Sequence, residues 1–125
     1  MKTGLTYDDV LLVPQYSDIR SRSEVSLENN LSDTIQLDLP IIASPMDTVS
    51  GREMADELSH LGATAIVHRY NSINEQSSII ASLPNHVKVG GAVGVSGEYL
   101  DRALSLYDAG ADFICVDVAH GHHIL

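Results

Sequence analysis

Gly62-Ala63-Thr64-Ala65-Ile66-Val67-His68-Arg69 is the stretch that sets the architecture of this chain. It reads as a helix terminator, then an apolar run with little polar alternation, then polar side chains. Such a run suits a strand covered on both faces, as in parallel sheets. The same order returns at Gly110-Ala111-Asp112-Phe113-Ile114-Cys115-Val116-Asp117. Each glycine stands just past a helical pattern, where a left-handed residue ends a helix. Two more apolar, strand-like runs occupy 41–44 and 87–95. From Pro40 to Ala63 is 23 residues, from Ala63 to Val87 is 24, and from Val87 to Ala111 is 24. A strand–helix unit thus repeats almost without variation.

Helical patterns fill the intervals. Met54, Leu58 and Leu61 recur at helical spacing, as do Ile73, Ile80 and Leu83 less cleanly; Leu100, Ala103, Leu104 and Tyr107 form the best stripe. Ser50 with Glu53, and Ser72 with Glu75, each fit a capping box. Alternating strands and helices predict a parallel sheet with right-handed crossovers. A doubly wound open sheet and a closed barrel both meet that description, and the uniform repeat favours the barrel. The expected fold is α/β, of the parallel (β/α)8 TIM-barrel type, with about the first four strand–helix units present. Residues 1–39, with apolar runs at 10–13 and 35–39, are expected to form a lead-in segment of short strands and loops. Residues 40–125 are expected to be the first half of the barrel, truncated as a fourth helix should begin.

Composition narrows the partners. Seventeen Asp and Glu against seven Lys and Arg leave a net charge of −10. That balance argues against nucleic acid or an anionic membrane surface. A small anion can still be held locally by backbone N–H groups. A single cysteine, Cys115, excludes an internal disulfide and fits a reducing, cytoplasmic setting. No apolar run resembles a leader or reaches spanning length.

In barrels and open sheets alike, function gathers beyond the C-terminal ends of the strands. Three such ends are chemically unusual: Ser44-Pro45-Met46-Asp47-Thr48-Val49-Ser50-Gly51, His68-Arg69-Tyr70-Asn71, and Asp117-Val118-Ala119-His120-Gly121-His122-His123. A capped loop would use the residue types of the first, and a solvated loop those of the second, as readily as a ligand site would. Asp117, ending an apolar strand, could accept hydrogen bonds from a pair of sugar hydroxyls. The three histidines lack the spacing of a helical zinc signature, so no metal is expected. Gly90-Gly91-Ala92-Val93-Gly94 is glycine-rich but lies within a strand and at its end, so it is not a dinucleotide fingerprint. Cys115, inside an apolar run, reads as a small buried hydrophobe rather than a nucleophile.

Taken in order, these segments resemble the IMP dehydrogenase/GMP reductase family. The resemblance is carried by Gly4-Leu5-Thr6-Tyr7-Asp8-Asp9-Val10-Leu11-Leu12-Val13-Pro14, residues 43–49, Ile66-Val67-His68-Arg69, Gly91-Ala92-Val93-Gly94-Val95, and Val116-Asp117-Val118-Ala119-His120-Gly121-His122. Several motifs in order are more specific than any one. The resemblance implies redox chemistry at C2 of a purine nucleotide through a cysteine adduct. It would be either IMP to XMP with NAD, or GMP to IMP and ammonia with NADPH. It also implies Ser44 near the nucleotide phosphate, Met46 packed on the purine, and Asp117 holding the nicotinamide ribose. Val95, Ser96 and His120 would lie toward the rest of the dinucleotide. Arg69 falls where the reductase branch has a basic residue near the reacting centre.

The family's cysteine loop belongs to the half not present among these residues, so the chain is expected to be a fragment with no catalytic nucleophile of its own. Residues 44–49, 72–76 and 91–95 look more like the dehydrogenase, whereas Ser21-Arg22-Ser23-Glu24-Val25 and His68-Arg69-Tyr70 look more like the reductase. The regulatory insert usual in dehydrogenases is absent between Gln76 and Val87. The reading leans to the dehydrogenase and keeps the reductase open. The expected partners are a purine nucleotide, IMP or GMP, and either a second copy or a complementary C-terminal half. A non-catalytic half-barrel, or a remnant, that needs a partner chain is the alternative of another class.

Overall fold

Space order follows chain order. In a computed structural model that describes residues 2–124, short strands form at Asn29–Asn30 (β1), Gln36–Leu37 (β2), Ile42–Ala43 (β3), Thr64–Val67 (β4), Val89–Val93 (β5) and Phe113–Val116 (β6). β1 and β2 make a small antiparallel pair, whereas β3 to β6 form one parallel sheet in the order 3-4-5-6. Met1 and Leu125, the outer ends of the two expected segments, lie outside the described residues. Helices Arg52–His60 (α1), Ile73–Ala81 (α2) and Tyr99–Asp108 (α3) are the crossovers. Ala55 of α1, Ile80 of α2 and Leu106 of α3 share one buried cluster with Ala65, Val67, Val89 and Val93. All three helices therefore cover the same face, and strand order never reverses. A doubly wound sheet needs a reversal. The architecture is that of a partial (β/α) barrel.

Register separates the two faces. Gly91 pairs with Ile114 and Val93 with Val116, so these side chains lie on the helix side. Gly90 pairs with Phe113 and Ala92 with Cys115 on the opposite, inward side. A Cβ at Gly90 would stand 2.3 Å from the Phe113 ring, so the missing side chain makes room for the one phenylalanine. At the N-terminal end of the sheet, Asp112 accepts from Lys88 Nζ and from the Val89 N–H, both at 2.9 Å, and holds β5 and β6 in register. Gly62 and Gly110 have φ of +73° and +99°, the left-handed conformation expected after each helix.

Four details depart from the expectations. The run at 10–13 forms no strand, and Leu11 and Leu12 are 96% and 98% exposed. Leu100, Leu104 and Tyr107 of α3 are 60%, 55% and 72% exposed, while Leu106 is fully buried. Of the stripe, Ala103 packs against the core, whereas its larger members stay largely exposed. Ser50 does not cap α1, because its hydroxyl is buried and donates to the Ser44 carbonyl; Gly51 takes the N-cap position without a side-chain bond. Cys115 is half-buried rather than buried, because its own strand, β6, is an edge of the sheet.

The second capping box does form. Ser72 Oγ accepts from the Glu75 N–H at 3.2 Å, and Glu75 Oε2 accepts from the Ser72 N–H at 2.9 Å. Hydrogen bonds from the Ser72 hydroxyl and N–H hold the Glu75 carboxyl below its ordinary value. Because the folded value is lowered, this contribution is present above the ordinary carboxylate range. It is lost as pH falls through the lowered value. The protection factor of the Glu75 amide, its exchange relative to the intrinsic rate at each pH, is therefore expected to fall on acidification in the native chain and to be low and flatter with pH in Glu75→Gln. At neutral pH, Ser72→Ala should lower it roughly fivefold to tenfold. NMR hydrogen exchange reads both, and a pH-independent native protection factor would refute the assignment. Among the described residues, no helix is long and apolar enough to cross a membrane.

Candidate functional site

The four parallel strands point their C-terminal ends the same way, and the polar loops follow there. Ser44 and Met46 lie after β3, and both are exposed. Their loop is a tight backbone turn, with the Met46 N–H donating to Ser44 O at 2.8 Å and the Ser50 N–H to Met46 O at 2.9 Å. The buried Ser50 hydroxyl ties the same Ser44 carbonyl from below. Ser44 is thus held by its backbone while its side chain stays in solvent.

After β4, Val67 runs directly into His68 and Arg69. The Arg69 Nε donates to Asp117 Oδ2 at 3.3 Å, and Nη2 donates to the Asp117 carbonyl at 3.1 Å. Asp117 follows β6, two strands away, and its N–H is held by Val93 O at 2.8 Å. The guanidinium therefore reaches across the end of β5. Gly94 lies under it, and a Cβ there would come within 3.4 Å of Arg69 Nη1. The Arg69 guanidinium also stands 5.6 Å from the Tyr70 ring, a cation–π separation. The pair is about two-thirds buried, with side-chain exposures of 34% and 29%.

The site residues predicted from the sequence thus divide. Arg69 and Asp117 are brought together. Val95, half-buried, and Ser96, exposed, begin the loop that leaves β5 beside them. His120 is exposed, and its ring nitrogen accepts from the His122 N–H at 3.1 Å in a local turn. Ser44, Met46, Ser96 and His120 lie at the same end of the sheet as the ion pair. Among the described residues, no group of three or more His, Cys, Asp or Glu side chains converges as a metal site would require. Burial pushes the Cys115 thiol up, and the nearby Asp117 charge adds to this, so the thiolate is scarce at neutral pH.

Two polar residues escaped the sequence reading. Gln76 of α2 is fully buried, and Arg102 of α3 donates to its side-chain oxygen at 2.6 Å. A signal was present: Gln76 occupies the i+3 slot of the Ile73, Ile80 stripe, where an apolar residue belongs.

A dinucleotide can be tested against these groups. The glycines at 90 and 91 lie inside β5, as a strand and not as a phosphate-binding turn. Asp117 spends Oδ2 on Arg69, which leaves Oδ1 to accept a sugar hydroxyl. An acceptor of this kind is what a ribose hydroxyl would need at this strand end.

Comparisons with known proteins bear on the family. The chain is 42% identical over 109 residues to inosine-5'-monophosphate dehydrogenase of Nitrosopumilus maritimus, covering 86% of this chain and 22% of that protein. It is 30% identical over 165 aligned positions to the same-named enzyme of Cryptosporidium parvum, covering 97% of this chain and 40% of that one. A GMP reductase of Leishmania donovani is 48% identical over 77 residues, covering 62% of this chain and 16% of the reductase. The chain therefore spans well under half the length of each of these relatives. The family model described as IMP dehydrogenase / GMP reductase domain matches residues 4–125, across every strand of the parallel sheet, and the chain belongs to that family.

Proposed function

We propose that the chain is the N-terminal portion of a purine-nucleotide oxidoreductase barrel, acting on IMP with NAD, and that it is inactive by itself. The observation that carries this reading is the Arg69–Asp117 pair across the end of β5, set among loops that follow four parallel strands. Ser44 and Met46 are assigned to the nucleotide, and Asp117, Val95, Ser96 and His120 to the dinucleotide. The dinucleotide, when bound, supplies the hydride acceptor or donor. This chain's residues bind and orient: Asp117 Oδ1 accepts ribose hydroxyls while Arg69 holds Oδ2 and offsets the carboxylate's charge. No nucleophile is assigned here, because Cys115 lies within a strand with its thiol pushed up. GMP with NADPH is the second reading, favoured by the basic Arg69 at the strand end and by similarity to a protein named GMP reductase. A complementary C-terminal half is the proposed partner. The setting is proposed to be cytoplasmic.

The purified chain is expected to turn over neither IMP with NAD nor GMP with NADPH. Mixing with a separately expressed C-terminal half that carries a cysteine loop should produce turnover. Turnover by the chain alone, abolished in Cys115→Ser, would show the reading to be wrong. In the reconstituted enzyme, Asp117→Ala should raise the cofactor Michaelis constant more than the nucleotide's. Unpaired ribose hydroxyls cost about 1–3 kcal/mol, or roughly fivefold to 150-fold. An unchanged cofactor constant would remove Asp117 from the site.

A further inference from the structure

We propose that Gln76 and Arg102 are positioning residues that set the spacing between the ends of β4 and β5, and thereby place Arg69 over Gly94. The inference rests on the functional reading above only for the identity of the ligand.

The Gln76 side-chain nitrogen donates to two carbonyls at once, Val67 O and Ala92 O, each at 3.0 Å. Its oxygen accepts from Arg102 Nη1 at 2.6 Å, and Arg102 Nη2 donates to Asn71 O at 3.0 Å. The neighbours settle the amide's orientation: two carbonyls require the NH2 on one side, and a guanidinium requires the oxygen on the other. The last registered pair of β4 and β5 is Val67 with Gly91, so the two carbonyls lie where the ladder stops. One amide group therefore spans the point at which the strands part.

That point leads into both halves of the clasp. Val67 is followed by His68 and Arg69. Ala92 is followed by Val93, whose carbonyl holds the Asp117 N–H, and by Gly94, over which the guanidinium passes. Even a Cβ at Gly94 would meet Arg69 Nη1 only at 3.4 Å, an ordinary contact, so the guanidinium is placed by its two bonds to Asp117 and by the strand ends that carry the two residues, not by crowding at Gly94. Arg102 pins the far end of the loop at Asn71 and fixes it to α3. An apolar residue at position 76 would suit the core, but it would remove the bonds to two carbonyls and leave Arg102 Nη1 without its acceptor. The slot is therefore shaped by what it holds in place rather than by packing alone.

Hydrogen exchange on the full chain tests this without relying on turnover. In Gln76→Met, the hydrogen-bonded amides at the strand ends, His68, Tyr70 and Asp117, are expected to exchange about tenfold faster or more, while Thr64 and Ala65 toward the opposite end of β4 keep their protection. Arg102→Lys, which keeps the charge but loses the two-pronged donor, should show the same pattern in milder form and serves if Gln76→Met fails to fold. Gln76→Glu keeps the Arg102 contact but offers an acceptor to two carbonyls, so it should not rescue the strand ends. Uniform loss of protection across the sheet in Arg102→Lys, or no change at the strand ends, would overturn the proposal. NADH fluorescence in the presence of the C-terminal half supplies the second readout. Weaker NADH binding in the variants supports positioning of the cofactor side. The local exchange pattern together with no NADH binding even by the native chain would keep the positioning role and overturn only the functional reading.

Discussion

Leu106→Ala is expected to destabilise the chain by about 3–5 kcal/mol, the upper part of the range for truncating a buried leucine. Leu106 is fully buried at the centre of the helix–sheet layer. Its Cδ1 lies 2.7 Å from where a Gly91 Cβ would stand, and Ile80 Cδ1 lies 3.3 Å from the same point. The leucine thus occupies space that the strand leaves empty. Once it is removed, β5 has no side chain at 91 to move into the void, so the cavity should persist rather than collapse. The converse follows. Gly91→Ala alone should destabilise, because its Cβ meets the leucine. In the Leu106→Ala background the same change should restore part of the loss. A double-mutant cycle by urea unfolding at one fixed protein concentration measures this coupling. Additive effects would mean that the two residues do not share the space described.

The second large effect concerns association. The isolated chain is expected not to persist as a stable monomer at micromolar concentration. Ile114 and Val116 point to the helix side of the sheet, yet they are 38% and 56% exposed. On the adjoining side of α3, Leu100, Leu104 and Tyr107 are exposed as well. The two sets belong to adjacent elements, α3 and β6. β6 is also the last strand of its sheet, so its outer backbone groups lack a strand partner among the described residues. Exposed backbone on an apolar strand with no charge inside it is a template for another chain. The net charge of −10 opposes clumping, but screening at physiological salt limits its reach to roughly 8 Å. Sedimentation should therefore show dimers or larger species, with a melting temperature that rises with concentration. A compact monomer with a cooperative, concentration-independent melt would contradict the expectation.

The strand positions were legible because each combines two independent signals. Thr64–Val67 is a β-rich run bounded by a helix-ending glycine and a polar loop, and it repeats at nearly constant spacing. The Ser72–Glu75 box was legible for the same reason: both of its members lie within one turn, and local geometry suffices. Ser50 carried an identical signature and failed, because a nonlocal competitor, the Ser44 carbonyl, lay within reach of its hydroxyl. The α3 stripe failed differently. Periodicity marks a face as apolar, but it cannot say which neighbour covers it. Leu106, one isolated leucine off the stripe, turned out to meet the sheet.

By itself, then, the sequence determined the parallel strand–helix repeat, the direction of the strand ends and the family, because these depend on short-range patterns and on motifs in fixed order. Only the tertiary structure decided that Arg69 and Asp117 meet over Gly94, and that Gln76 is a buried clamp with Arg102 as its partner. Those contacts join residues 9 to 48 positions apart in the chain. Hydrogen bonds between distant side chains depend on strand register and on how closely two helices approach, and neither quantity is encoded in local spacing.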